Sequence, residues 1–216
     1  EVLLSYARSP LVWVQGLTTY LEHYPYECTE QLLSKAMPAL VAARPDQLQR
    51  PDFAPIGKAF SLLRQRQNES GGFGQWASNL VVQPDISVYA ADFLIEAGER
   101  GLAVPRDLRE HSLRFLHRVA SGPAQGLAEL RTRARAMYLL TRSGQVTTAP
   151  FMATIEQLEN HHKAAWRTDL IAAYLGACQI LMQQEKAGKE LLWGVPWATL
   201  SGSQGPVEGG LYEDGL

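Results

Sequence analysis

The stretch Thr168-Asp-Leu-Ile-Ala-Ala-Tyr-Leu-Gly-Ala-Cys-Gln-Ile-Leu-Met-Gln-Gln184 decides the fold class. Leu170, Tyr174, Ala177 and Leu181 recur three and four residues apart, so they fall on one stripe of a helix. The same period returns along the chain. It places Leu11, Val14, Leu17 and Leu21 on a helix from near Pro10, and Ile56, Phe60 and Leu63 on one from Phe53 to Gln67. Another helix begins close to Cys28 with Leu32, Leu33, Ala36 and Met37, until Pro38 kinks it or restarts it. Ile86 to Ala97, a segment starting at Pro105 with Leu108, Phe115, Leu116 and Val119, Leu127 to Ser143, and Pro150 to His161 complete the set. Turn residues stop these segments, as at Asn68-Glu69-Ser70-Gly71-Gly72, Gly98 and Gly101. The loop after Gly72 reads as a wet one, holding Phe73, Gln75 and Trp76. About eight helices of roughly 12 to 17 residues with short connections predict an all-α fold of antiparallel hairpins, bundled or arranged around a ring.

Composition narrows the possible functions. A chain of 216 residues with 46% hydrophobic content can bury its own core, as one fairly large domain or two small ones. Twenty basic against 22 acidic residues leave a net charge of -2 without any block of one sign, which argues against nucleic-acid partners and contact with an anionic membrane. No apolar run is long enough to cross a bilayer, and Glu1 stands where a signal peptide would carry positive charge. Cys28 and Cys178 lie far apart in sequence, so a disulfide is possible but neither required nor indicated by spacing. The chain starts inside the apolar stretch EVLLSYARSP and ends on GGLYEDGL, so it is expected to be a fragment of a longer protein.

The chemistry gathers in His23-Tyr-Pro-Tyr-Glu-Cys-Thr-Glu-Gln31. A thiol at a turn-to-helix junction is followed three positions later by an amide, and residues i and i+3 share a helix face about 5 to 6 Å apart at Cβ. The Cys28 sulfur can therefore approach the Gln31 side-chain carbonyl, displace ammonia and form an internal thioester. Partial positive charge at a helix start favours thiolate, both as attacking group and as leaving group. Sulfur leaves far more readily than an amine or alcohol, so an incoming amine or hydroxyl would acylate at Gln31 and release Cys28. Such a site is consumed by its reaction rather than turned over. Tyr24 and Tyr26 are expected to shield the bond from water, with Phe73 and Trp76 as further candidates. Glu30 holds the first helical turn through the dipole or assists proton movement.

Tyr24-Pro-Tyr-Glu-Cys-Thr-Glu-Gln31 closely resembles the thioester signature of the bacterial α2-macroglobulins and, more distantly, that of complement thioester proteins. Gly71-Gly-Phe-Gly-Gln-Trp76 resembles the Gly-Gly-Phe loop that follows in those domains. Tyr89-Ala-Ala-Asp-Phe-Leu94 with Gly101-Leu-Ala-Val-Pro105 is similar to their next helix and its exit. The likeness covers roughly residues 20 to 110 in order. Two positions depart from the family pattern: Glu27 stands where glycine is usual, and Thr29 where leucine or glycine is common. A carboxylate at Glu27 opposes thiolate at Cys28 by like-charge repulsion.

The resemblance implies an α/α toroid, incomplete in this chain, and a single thioester-bearing domain over 1–216. It also implies the activity of a protease-trapping inhibitor rather than an enzyme, with target proteases captured covalently through surface lysines. Other domains of a parent chain would be further partners. The implied location is the periplasm, with anchoring through a distant lipidated N-terminus. No cofactor and no metal are implied. The histidine that steers complement thioesters toward hydroxyl groups has no match among His111, His117, His161 and His162.

Other readings remain open at the level of sequence. A helical-ring hydrolase or cyclase needs paired carboxylates or an aspartate cluster, whereas Asp85, Asp92 and Asp107 stand apart. A cysteine protease needs an imidazole within reach of Cys28. A non-covalent interaction domain with an unformed thioester is compatible with Glu27. Cys178 reads as a core thiol and His161-His162 as a helix cap. Arg131, Arg133, Arg135 and Arg142 read as a solvated face.

Overall fold

The computed structural model describes residues 28–48, 54–76, 81–163 and 165–197. The expected helix from Pro10 to Leu21, together with Tyr24, Tyr26 and Glu27, lies outside them. The described residues form nine α-helices, α1 Thr29–Ala42, α2 Pro45–Leu48, α3 Ala54–Arg66, α4 Pro84–Glu99, α5 Arg106–Ser121, α6 Leu127–Arg142, α7 Thr148–His161, α8 Leu170–Leu181 and α9 Glu185–Gly194. One 3-10 turn, Ala165–Thr168, precedes α8, and a lone antiparallel bridge joins Gln67 to Phe73. The all-α expectation holds. The short α2 and the whole of α9 were not expected. Pro38 starts no new helix: α1 runs through it to Ala42.

The chain divides into two compact units, residues 1–115 and 116–216. In the first, α1 packs against both α3 and α4. Leu33 and Leu40 of α1, Leu63 of α3 and Phe93 and Leu94 of α4 are buried in one cluster with Leu108 and Phe73. The Phe60 and Phe93 rings meet at 5.8 Å between centroids, tilted by 54°, a favourable aromatic geometry.

In the second unit α8 packs on α6 and α9, and α7 packs on α6. The face of α8 that is buried carries Ile171, Ala172, Leu175, Gly176 and Cys178. The stripe expected from spacing is the more open side, with Leu181 45% exposed. A helix apolar nearly all round has several such stripes, and only its neighbours select one. The solvated arginine face is also corrected. Arg133 is buried and donates to Gln157 Oε1 at 2.9 Å and to the Gly122 carbonyl. Arg131 holds Asp169 with two parallel bonds of 2.9 and 2.6 Å. Because α6 is packed by both α7 and α8, little of its surface is left for solvent. As expected, Cys178 lies in the core; His162 is the C-cap of α7 through its backbone N–H to the Leu158 carbonyl, while its Nε2 lies 3.0 Å from the Gln125 carbonyl.

Candidate functional site

Cys28 is the N-cap of α1, with φ −67° and ψ 167°. Its sulfur accepts the Gln31 backbone N–H at 3.4 Å, while the Gln31 side-chain Oε1 accepts the Cys28 backbone N–H at 3.2 Å. This is a capping box, with cysteine in the place usually taken by serine or threonine. Sulfur is a weak acceptor, so helix capping alone is a poor reason for a thiol here. The box satisfies two orphan donors and folds the two side chains back toward each other. Thiol and amide thus share one helical turn, with Cys28 5% exposed and Gln31 half-buried.

The second part of the site is the loop after α3. Gln67, the residue after that helix, aims its Nε2 at three acceptors, Gly71 O at 3.1 Å, Leu108 O at 3.1 Å and Ser112 Oγ at 3.0 Å. The turn closes with Gly71 N–H donating to Asn68 O at 2.8 Å and Asn68 N–H to Gly72 O at 3.0 Å. Gly71 has φ +80°, and a Cβ there would lie 2.2 Å from the His111 carbonyl oxygen; conformation and close approach both require glycine.

Phe73 is fully buried, and its N–H donates to Ser87 Oγ at 2.8 Å while that hydroxyl donates to Gln83 O at 2.7 Å. The loop is therefore not the wet one expected. Its aromatic anchor turns inward and residues 71–74 are buried, while Trp76 is 46% exposed. Phe73 and Trp76 accordingly do different things, the first fixing the loop and the second lying half in water.

The fixed loop meets the start of α1. The Gln75 carbonyl accepts the Thr29 N–H at 2.9 Å, and the Gly74 carbonyl accepts the Thr29 hydroxyl at 2.6 Å. Of the residues singled out by sequence, Cys28, Glu30, Gln31 and the Gly71–Trp76 loop come together in this first unit. Glu30 is half-buried in the first turn of α1, where the capping bonds are made by Cys28 and Gln31. Burial, and then the charge of Asp85, raise its carboxyl above the ordinary range.

Thr29, Gln67 and Ser87 were not singled out as functional. Ser87 had a legible signal, a hydroxyl between Ile86 and Val88 on an apolar helix. Among the described residues no group of three or more His, Cys, Asp or Glu could hold a metal ion, and no helix is long and apolar enough to cross a membrane.

No family model matches the chain. It is 34% identical over 200 residues to the alpha-2-macroglobulin of Rickettsia conorii, covering 89% of this chain and 11% of that protein. Its fold is similar to native alpha-2-macroglobulin from Escherichia coli spanning domain MG7 to the C-terminus, with TM-score 0.69 and 25% identity over 83% of this chain and 30% of that one. Salmonella alpha-2-macroglobulin reacted with methylamine is similar at TM-score 0.69 and 26% identity, over 83% of this chain and 12% of that one. The chain thus spans 11% of the length of the Rickettsia protein.

Proposed function

This chain is homologous to the bacterial alpha-2-macroglobulins, and from that premise we propose that it is the thioester-bearing domain of a protease inhibitor in which Cys28 and Gln31 form the bond. The observation that carries the reading is the reciprocal capping of these two residues, sulfur to Gln31 N–H at 3.4 Å and Gln31 Oε1 to Cys28 N–H at 3.2 Å. In the forming step the Cys28 thiolate attacks Gln31 Cδ, the C–N bond breaks, and ammonia leaves with the thiol proton. In the capture step a lysine amine attacks the same carbon, an amide forms at position 31, the C–S bond breaks, and the amine proton returns to the sulfur.

Both steps pass through a tetrahedral carbon whose oxygen is the former Oε1. The Cys28 N–H already donates to that atom and stabilises the charge it gains. Glu30, adjacent to Gln31 and with its carboxyl raised by burial, is an auxiliary group that moves the proton between amine and sulfur. Shielding of the bond from water is the role this reading gives to Tyr24 and Tyr26. The helical hairpins form part of an α/α toroid within the single domain 1–216. The inhibitor acts outside the cytoplasm, in the periplasm, held there through a distant lipidated N-terminus. Its partners are attacking proteases and the other domains of a parent chain. Support for amine capture comes from the structural relative reacted with methylamine.

Intact-mass spectrometry before and after methylamine, with a free-thiol count on each sample, tests this. A mass lower by one ammonia, rising on methylamine addition as one thiol appears, is the expected result. An unshifted mass with Gln31 intact on peptide mapping sinks the thioester and leaves a non-covalent interaction domain.

A further inference from the structure

Thr29 follows the thiol and is entirely buried, although its side chain is polar. A buried hydroxyl without partners is costly, so its bonds define what it does. Its Oγ1 donates to the Gly74 carbonyl at 2.6 Å, lies 3.1 Å from the Gln75 carbonyl and accepts from Arg66 Nη1 at 3.4 Å. Its backbone N–H, one of the orphan donors of the helix start, goes to Gln75 O at 2.9 Å. One residue thus ties the first turn of α1 to two consecutive loop carbonyls and to the last residue of α3. The loop in turn is held by Gln67 at the end of α3 and by Ser87 on α4. The peptide carrying Cys28 cannot swing outward unless the Thr29 bonds break.

We propose that Thr29 is a positioning residue, whose hydroxyl latches the Cys28–Gln31 turn to the Gly71–Trp76 loop and so sets how often the sulfur is presented to outside reagents. The latch is a property of the buried threonine; its consequence for capture rests on the thioester reading. Closed, it keeps sulfur and amide carbonyl in one restricted geometry, as intramolecular attack requires. Open, it lets an external amine or water reach them. Thr29, a departure from the family pattern, thereby gains a specific role.

The test uses the full chain carrying Gln31→Glu, which removes the amide that forms the bond while glutamate preserves the capping box. Iodoacetamide alkylation of Cys28 is followed by peptide mapping, which separates it from Cys178. Thr29→Val and Thr29→Ala, both lacking the hydroxyl, are expected to speed labelling about tenfold, the weight of one buried hydrogen bond, and Thr29→Ser to return it to the slow rate. Rates are compared at a temperature where circular dichroism shows every variant folded. Unchanged labelling in either hydroxyl-free variant overturns the latch. So does a serine variant as fast as valine, since the hydroxyl would then not by itself restore the slow rate. Absence of ammonia loss in the Gln31 protein defeats the thioester alone and leaves this measurement standing.

Discussion

Cys28 and Cys178 are both free and both buried, yet the molecule treats them differently. The turn that carries Cys28 is held by directional bonds between polar groups: the capping box, the Thr29 bonds, and the Gln67 and Ser87 supports of the loop. Cys178 sits inside α8, where burial pushes its thiol up to about 11, offset in part by the Thr141 hydroxyl at 3.8 Å. Its surroundings are held by close approach of apolar surfaces. In the α8–α9 hairpin a Cβ on Gly176 would lie 2.8 Å from the Gly188 carbonyl oxygen, and one on Gly188 would lie 2.5 Å from that of Gly176. Polar bonds can be opened one at a time and remade, whereas an interdigitated apolar seam gives way as a unit. A site that must stay closed and then react belongs in the first kind of surroundings.

The comparison breaks most severely if the loop beside Cys28 has no core anchor. Phe73 is fully buried, so Phe73→Ala should cost about 3 to 5 kcal/mol by urea denaturation. A loss below about 1 kcal/mol, the scale of a surface substitution, would show that the loop floats. The next largest effect lies between the two thiols themselves. At pH 8 a thiol titrating near 11 is thiolate in about one molecule in a thousand, and thiolate is the reacting form. Iodoacetamide should therefore label Cys178, wholly buried in the core, more slowly than Cys28 in native Gln31→Glu protein. Equal labelling would erase the distinction.

The α8–α9 seam gives a smaller number. Replacing a helical glycine by alanine ordinarily gains up to about 1 kcal/mol. Gly188→Ala, which would also set its Cβ 2.6 Å from Ile180 Cγ1, should instead lose about 1 to 2 kcal/mol net through overpacking. A gain on thermal denaturation would mean that the seam is loose.

How much of this was legible in the sequence follows the same division. The Cys28–Gln31 pair and its position at a helix start were readable because spacing of three residues is local information. Helix existence was readable for α1 and for α3 to α8 from periodicity, and Cys178 from its apolar flanks. The buried face of α8 was not, since Leu170, Tyr174, Ala177 and Leu181 make as good a stripe as Ile171, Leu175 and Cys178. Arg133 looked like surface because arginine usually is, and its burial depends on Gly122 and Gln157, partners 11 and 24 residues away. Thr29 stood out only as a departure from the family pattern, and its bonds were hidden for the same reason, its carbonyl partners lying 45 and 46 residues downstream.

The smallest effect sharpens the electrostatics of the polar side. Burial first, and the Asp85 charge second, raise the Glu30 carboxyl in the folded chain. Between the ordinary glutamate value, about 4.3, and its raised value, the folded state therefore binds more protons than the unfolded state. Stability must fall as pH rises through that window, and the full penalty persists above it. Glu30→Gln removes the titration, so the variant should match the parent near the bottom of the window and exceed it at pH 7. Solvent screening of a partly exposed carboxyl keeps the gain to about a few tenths of a kcal/mol, read as the pH dependence of the urea midpoint. If the variant is instead less stable at pH 7, the ionised carboxylate is doing more for the first turn of α1 through the helix dipole than burial takes away. Glu30 would then belong to the scaffold of the Cys28 turn and not to its proton transfer.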